Sequence, residues 1–240
     1  MIKEYVEHSL IGMGAFNFGG VHAGNATAAR IAYATEKKTV PNFLGGGGNI
    51  AANERISEAT LSITVSNLSA ENIALGLQAT INRVIAVEVV DEQLVANVNG
   101  LASTEHMMDI SKPITVKTSA DQPIAASNYT ATAAGIRLKA GSNHVDGDNI
   151  KVSYTMLPAA VLQAGLSFGK DIPVILDGMN DDNGDPYVWK IHRWKVSPTS
   201  GMDLISADYS SLELTGEILA DPTKPQGKSR HFEMQMVERN

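Results

Sequence analysis

Residues 60–66 run Thr-Leu-Ser-Ile-Thr-Val-Ser, so Leu61, Ile63 and Val65 alternate with Thr60, Ser62, Thr64 and Ser66. A period of two with one apolar and one hydroxyl face predicts a half-buried β-strand. The alternation returns at 211–218, where Leu212, Leu214 and Ile218 oppose Ser211, Glu213, Thr215 and Glu217. It returns again at 231–236, where Phe232, Met234 and Met236 oppose His231, Glu233 and Gln235. β-Branched or alternating stretches at 26–34, 81–90, 172–176 and 187–196 predict further strands. Asn183-Gly184, inside the polar run 181–185, predicts a hairpin turn between the last two. Residues 1–20, rich in glycine and without a sustained period, predict an irregular arm.

One helix stands out, at about 69–79. Ser69 is a good N-cap, Glu71 complements the dipole in the first turn, and Ile73 and Leu77 fall on one face. Gly76 keeps that helix short or closely packed. Residues 35–50 read as a long glycine-rich connection holding Lys37, Lys38, Phe43, Leu44, Gly45, Gly46, Gly47 and Gly48. A loop of that length is functional or disordered, and apolar Phe43-Leu44 asks for a partner. It is expected to be mobile in the monomer and to dock on a neighbouring copy.

The stretch 105–156 has its own rhythm of four short strands, around Ile114 and Val116, at 128–130, at 135–139 and at 150–154. It reads as a small β unit inserted in a larger β-domain, dividing the chain into 1–104, 105–156 and 157–240. The fold class is therefore mainly β, with one short flanking helix.

Composition narrows the function more than the fold. At 43% hydrophobic the chain has a core to bury and is not a disordered tail. With no cysteine it has neither disulfides nor thiolate metal sites, which fits assembly in a reducing cytoplasm. No apolar run is long enough to span a bilayer, so no membrane partner is expected. Twenty-six acidic against nineteen basic residues, net −7, argue against a protein that grips nucleic acid.

The chemistry-bearing motifs fail on inspection. Gly227-Lys228-Ser229 has Pro222 where a phosphate loop needs glycine. The acidic run from Asp177 to Asp185 would put Met179 and Lys190 at calcium-loop positions that need carboxylates. The six histidines lack metal-ligand spacing, and Trp189 and Trp194 read as packing before they read as a ligand shelf. No catalytic residue, metal or cofactor is predicted. The chain reads as a structural protein that assembles with copies of itself, not as an enzyme.

The order of these features resembles the major tail tube proteins of long-tailed bacteriophages. The landmarks are Ala23-Gly24-Asn25-Ala26, the long loop to Arg55-Ile56-Ser57, the strand 61–65 and the following Leu68-Ser69-Ala70-Glu71-Asn72. Later ones are 169–178, from Gly169-Lys170-Asp171 to Leu176-Asp177-Gly178, and 206–216, from Ser206-Ala207-Asp208 to Leu214-Thr215-Gly216. The segment from Asn128-Tyr129-Thr130 to Val152-Ser153-Tyr154-Thr155 looks like a β element often inserted in tail proteins. The resemblance implies a β-sandwich or partial barrel flanked by one helix, completing a multichain β-barrel in a hexameric ring. Rings would stack into a tube that holds a tape-measure protein, meets terminator and tail-tip proteins at its ends, and passes genomic DNA. This architecture is shared with the tube of type VI secretion. Assembly would occur in the host cytoplasm, and the inserted unit leans towards a non-contractile tail.

Lumen-facing candidates under this resemblance are Thr60, Ser62 and Thr64 on one strand, or Glu213 and Glu217 on another. Either set equally suits a plain solvent face. Two rivals remain: another tail component such as a terminator or baseplate ring, and a carbohydrate-binding β-sandwich with Trp189 or Trp194 as its platform.

Overall fold

The structure, a computed structural model, describes residues 9–141, 144 and 146–238. The chain runs β1 (Gly12–Phe18), β2 (Val21–His22), β3 (Ala26–Pro41), β4 (Asn49–Val65), α1 (Ala70–Gly76), β5 (Thr80–Val84), β6 (Glu88–Val95), β7 (Ala102–Ser103) and β8 (Thr115–Thr118). It continues through β9 (Tyr129–Thr132), β10 (Gly135–Leu138), β11 (Asn149–Thr155), β12 (Ala159–Gln163), β13 (Asp171–Asn180), β14 (Pro186–Val196), β15 (Leu212–Ile218) and β16 (Phe232–Met236). It is mainly β, divided into one compact unit of residues 1–81 with 162–240 and another of Asn82–Val161. The chain leaves and re-enters the first unit along β5 and β12, which pair with each other.

In the first unit an eight-stranded antiparallel sheet has the order β2-β1-β13-β14-β15-β4-β3, with β16 also paired to β14. One edge of β14 is shared: Tyr187–Ile191 pair with β16, and Trp194–Val196 with β15. The alternation legible in sequence places Leu61, Ile63, Val65, Leu212, Leu214 and Ile218 in the core, where they meet Phe18, Val174 and Trp194. Trp194 fills the centre, its ring 5.6 Å from that of Phe18. Gly216 passes so close that a Cβ there would lie 2.2 Å from the Lys195 carbonyl oxygen and 2.7 Å from Trp194 Nε1. The sheet does not close on itself, since β3 and the short β2 end its strand order.

Ser69 caps α1 as expected, its Oγ accepting from the Asn72 N–H at 3.2 Å. The buried side of the helix, however, carries Asn72, Ala74 and Gly76, not Ile73 and Leu77. Asn72 Nδ2 donates to the carbonyls of Ala23 (2.7 Å) and Asn67 (2.8 Å), and Gly76 rests against Leu212 and Leu214. A polar side chain with satisfied donors, and a glycine that admits two leucines, take the place of an apolar stripe.

Three further expectations are corrected. Residues 12–18 are not an irregular arm but β1, paired along β13 from Gly12↔Asn180 to Phe18↔Val174. Glycine masks the pattern there, and Gly14 is needed because a Cβ would sit 2.4 Å from the Asp177 carbonyl. Residues 81–90 are not one strand, since β5 ends at Val84 and β6 begins at Glu88. Residues 35–50 are mostly not a loop: β3 and β4 pair from Ala26↔Val65 out to Pro41↔Asn49.

The second unit holds two three-stranded sheets, β7-β10-β9 and β6-β11-β8, around its own core of Met108, Val116, Ile136, Leu138, Val152 and Tyr154. Its boundary lies at Asn82, not 105, because β6 pairs with β11 and β7 with β10, and it ends at Val161, not 156. Tyr154 is buried and its hydroxyl donates to Glu92 at 2.7 Å. Burial first, and that carboxylate second, push the phenol up to about 12. Among the described residues no helix is long and apolar enough to cross a membrane.

Candidate functional site: an exposed ribbon and a polar sheet face

The β3–β4 pair has two halves. From Ala59 to Val65 every second residue of β4 is buried, whereas all of 49–58 is exposed. The outer half therefore leaves the sheet as a two-stranded ribbon exposed along both strands. Lys37 and Lys38 lie within it, paired with Glu54 and Asn53. Glu36 sits opposite Arg55, which donates to the Glu36 carboxylate through Nη2 at 2.6 Å and Nε at 3.0 Å. Lys38 adds a longer ion pair to Glu36 at 3.6 Å. Such exposed pairs hold register but add little stability.

The true loop is 42–48, and it is built. Asn42 donates from Nδ2 to the Gly45 carbonyl at 2.7 Å and accepts the Leu44 N–H at 2.9 Å. Gly45, Gly46, Gly47 and Gly48 have φ of 99°, 83°, 72° and 78°, a run that residues with a Cβ rarely adopt. The four glycines thus allow the chain to reverse at the tip through left-handed backbone. That tip presents Phe43 and Leu44 to solvent at 88% and 92% exposure. Behind it Tyr33, Val40, Ile50 and Ile56 are also exposed. Val40 and Ile50 went unnoticed because they lie among residues counted as loop, and Tyr33 and Ile56 because nothing in the sequence sets them beside that loop.

The polar face of the sheet gathers both sets of candidates that looked like alternatives. Glu213 is paired with Thr64, Thr215 with Ser62, and Glu217 with Thr60. Ser62 Oγ and Thr215 Oγ1 share a hydrogen bond of 3.0 Å. Since Leu61, Ile63, Leu212 and Leu214 point to the core from the same strands, these hydroxyls and carboxylates occupy one continuous face. The choice between them is therefore removed: Thr60, Ser62, Thr64, Glu213 and Glu217 look the same way. Arg30, opposite Ser62, and Lys195, opposite Glu217, join them and were not foreseen. Only the strand register reveals that company.

A groove of about 420 Å³ opens between β1 and β3, walled by Phe16, Leu61, Leu176, Tyr187 and Trp189. Trp189 lies against Phe232, ring centres 5.5 Å apart, and is half-buried. Trp194 is 0% exposed, so it is no platform for a sugar. Asp181–Asp185 forms the turn between β13 and β14, as the Asn-Gly signal predicts, though over five residues rather than two.

These features define a mainly β protein with an open antiparallel sheet, a projecting ribbon and a separate compact β unit within the chain. The chain belongs to the family described as Protein of unknown function UCP028589, whose model matches residues 18–235. No curated protein matches it.

Proposed function

We propose that this chain is a non-catalytic structural subunit of a bacteriophage tail tube. Hexameric rings of it stack into a hollow tube that holds a tape-measure protein during assembly in the host cytoplasm. In the virion tail the tube conducts genomic DNA, and terminator and tail-tip proteins meet its ends.

The observation that carries this reading is the outer half of the β3–β4 ribbon. An isolated two-stranded hairpin is marginal in water, and this one adds exposed Phe43, Leu44, Val40, Ile50 and Ile56. A long unpaired edge on β3 is a further template for strand addition. A second copy that covers the ribbon and continues the sheet removes both costs, and a closed ring of copies removes the edges altogether. The polar face with Glu213, Glu217, Thr60, Ser62 and Thr64 then lines the channel. Its carboxylates stand beside Arg30 and Lys195, so the face carries both signs of charge and offers DNA no basic stripe to grip.

The test is sedimentation over a concentration series alongside negative-stain microscopy of the purified protein. Rings or tubes are expected. A protein that stays monomeric at high concentration in every salt sinks the reading.

A further inference from the structure

In a chain of net charge −7, residues 222–231 carry Lys224, Lys228, Arg230 and His231 and no acid. This loop leaves the sheet where β15 and β16 meet beside β14. Leu219 N donates to the Arg193 carbonyl at 2.9 Å, and His192 N to the His231 carbonyl at 3.0 Å. It is closed at its base by Asp221 N on the Arg230 carbonyl, at 2.8 Å. Asp221 itself is occupied, accepting from the Thr223 N–H at 2.9 Å and its hydroxyl at 2.7 Å, contacts that hold its carboxyl below the usual range. Nearby Glu233 is paired with Lys190 at 3.3 Å, and Arg193 with Asp171. Lys224 and Lys228 help to lower the carboxyls of Asp221 and Glu233 through space, but among the described residues Lys224, Lys228 and Arg230 make no ion pair within 4 Å, and the last two are exposed.

The opposite charge sits at the start of the same strand. The turn before β14 holds Asp181, Asp182 and Asp185, of which Asp181 and Asp182 are exposed. This turn is also built. Asp181 N donates to the Ile11 carbonyl at 2.8 Å, Gly184 N to the Asn180 carbonyl at 2.7 Å, and Ser9 Oγ to Asp182 Oδ2 at 2.7 Å. Along β14 from Pro186 to His192 the two loops are separated by about 20 Å at ~3.3 Å per residue. That is more than twice the ~8 Å screening length of physiological salt, so they do not neutralise each other within one chain.

We infer that the basic loop 222–231 docks on the acidic turn 181–185 of a second copy of this chain. The contact joins two different patches, so it is heterologous and repeats from copy to copy. It gives growth a direction and sets the partner by charge, while the apolar ribbon supplies buried area. This rests on the tube reading and adds to it a salt-sensitive, polar contact made by named residues.

The experiment uses the full chain and three variants: Asp181→Lys with Asp182→Lys, Lys228→Glu with Arg230→Glu, and all four together. Assembly is followed by sedimentation at about 50 mM and about 0.5 M salt, which changes the screening length severalfold. Each paired reversal is expected to raise the concentration for half-assembly about tenfold or more at low salt, since like charges then face each other. The four-fold variant regains assembly. The two paired variants mixed one to one co-assemble at a concentration where neither assembles alone, a gain that misfolding does not produce. Paired variants that assemble like the wild type at both salts overturn the contact and leave the tube reading standing. A wild type that never assembles overturns both. If Lys228→Glu with Arg230→Glu abolishes binding to a short DNA duplex and leaves self-association unchanged, the loop serves nucleic acid and the inference falls.

Discussion

Residues 59–65 and 49–58 belong to one strand, β4, and share one hydrogen-bonded partner, β3, yet they live under different physics. The inner stretch is stitched on both edges, to β3 and to β15, and sets Leu61, Ile63 and Val65 into the core. The outer stretch has only β3 beside it, no buried residue, and ion pairs that water and salt weaken. Hydrogen bonds alone net little against water, so the inner half owes its stability to apolar burial and the outer half has none of its own. On the proposed assembly, the surface that stabilises this outer half would lie on another copy of the chain.

The largest expected effect separates assembly from folding. Deleting 39–48 lets the pair Lys38↔Asn53 close over a short turn. The melting temperature should barely move, because no buried residue is lost, while rings and tubes should disappear from micrographs. Normal tubes from the deletion protein would break the comparison. Next, Ile63→Ala in the inner half should cost about 2–5 kcal/mol by denaturant titration, and Ile56→Ala in the outer half about 0.5 kcal/mol or less. Equal losses would mean that the ribbon is packed in the monomer. Gly216→Ala on β15 should destabilise by about 1–3 kcal/mol, since its Cβ would press on the Lys195 carbonyl and the Trp194 ring. The smallest effect is Glu36→Gln, about 0.5 kcal/mol or less, which raised salt should erase.

The second unit offers a separate check on pH. Tyr154 keeps its proton to about 12 in the folded state, whereas an ordinary tyrosine loses it near 10. Between those values the folded chain binds more protons than the unfolded one, so stability falls as pH rises through the window. Tyr154→Phe should flatten that fall, measured as urea midpoint against pH.

The alternation at 60–66 and 211–218 was sufficient to predict the inner half of β4 and β15, because each buries one face, and the alternation at 231–236 matched β16 although Met234 and Met236 are exposed there. Ser69 was likewise enough to place the start of α1, since capping is a local contact. Where both faces see water, as at 35–41 and 49–58, no period is enforced, and the outer part of β3 read as loop. Where backbones approach closely, as at Gly14, glycine replaces the apolar signal, and β1 read as an irregular arm. The polar face had a deeper reason to stay hidden. Each strand shows which of its residues face outward, but which strands lie side by side is a long-range pairing, so only the register placed Glu213, Glu217, Thr60, Ser62, Thr64, Arg30 and Lys195 together.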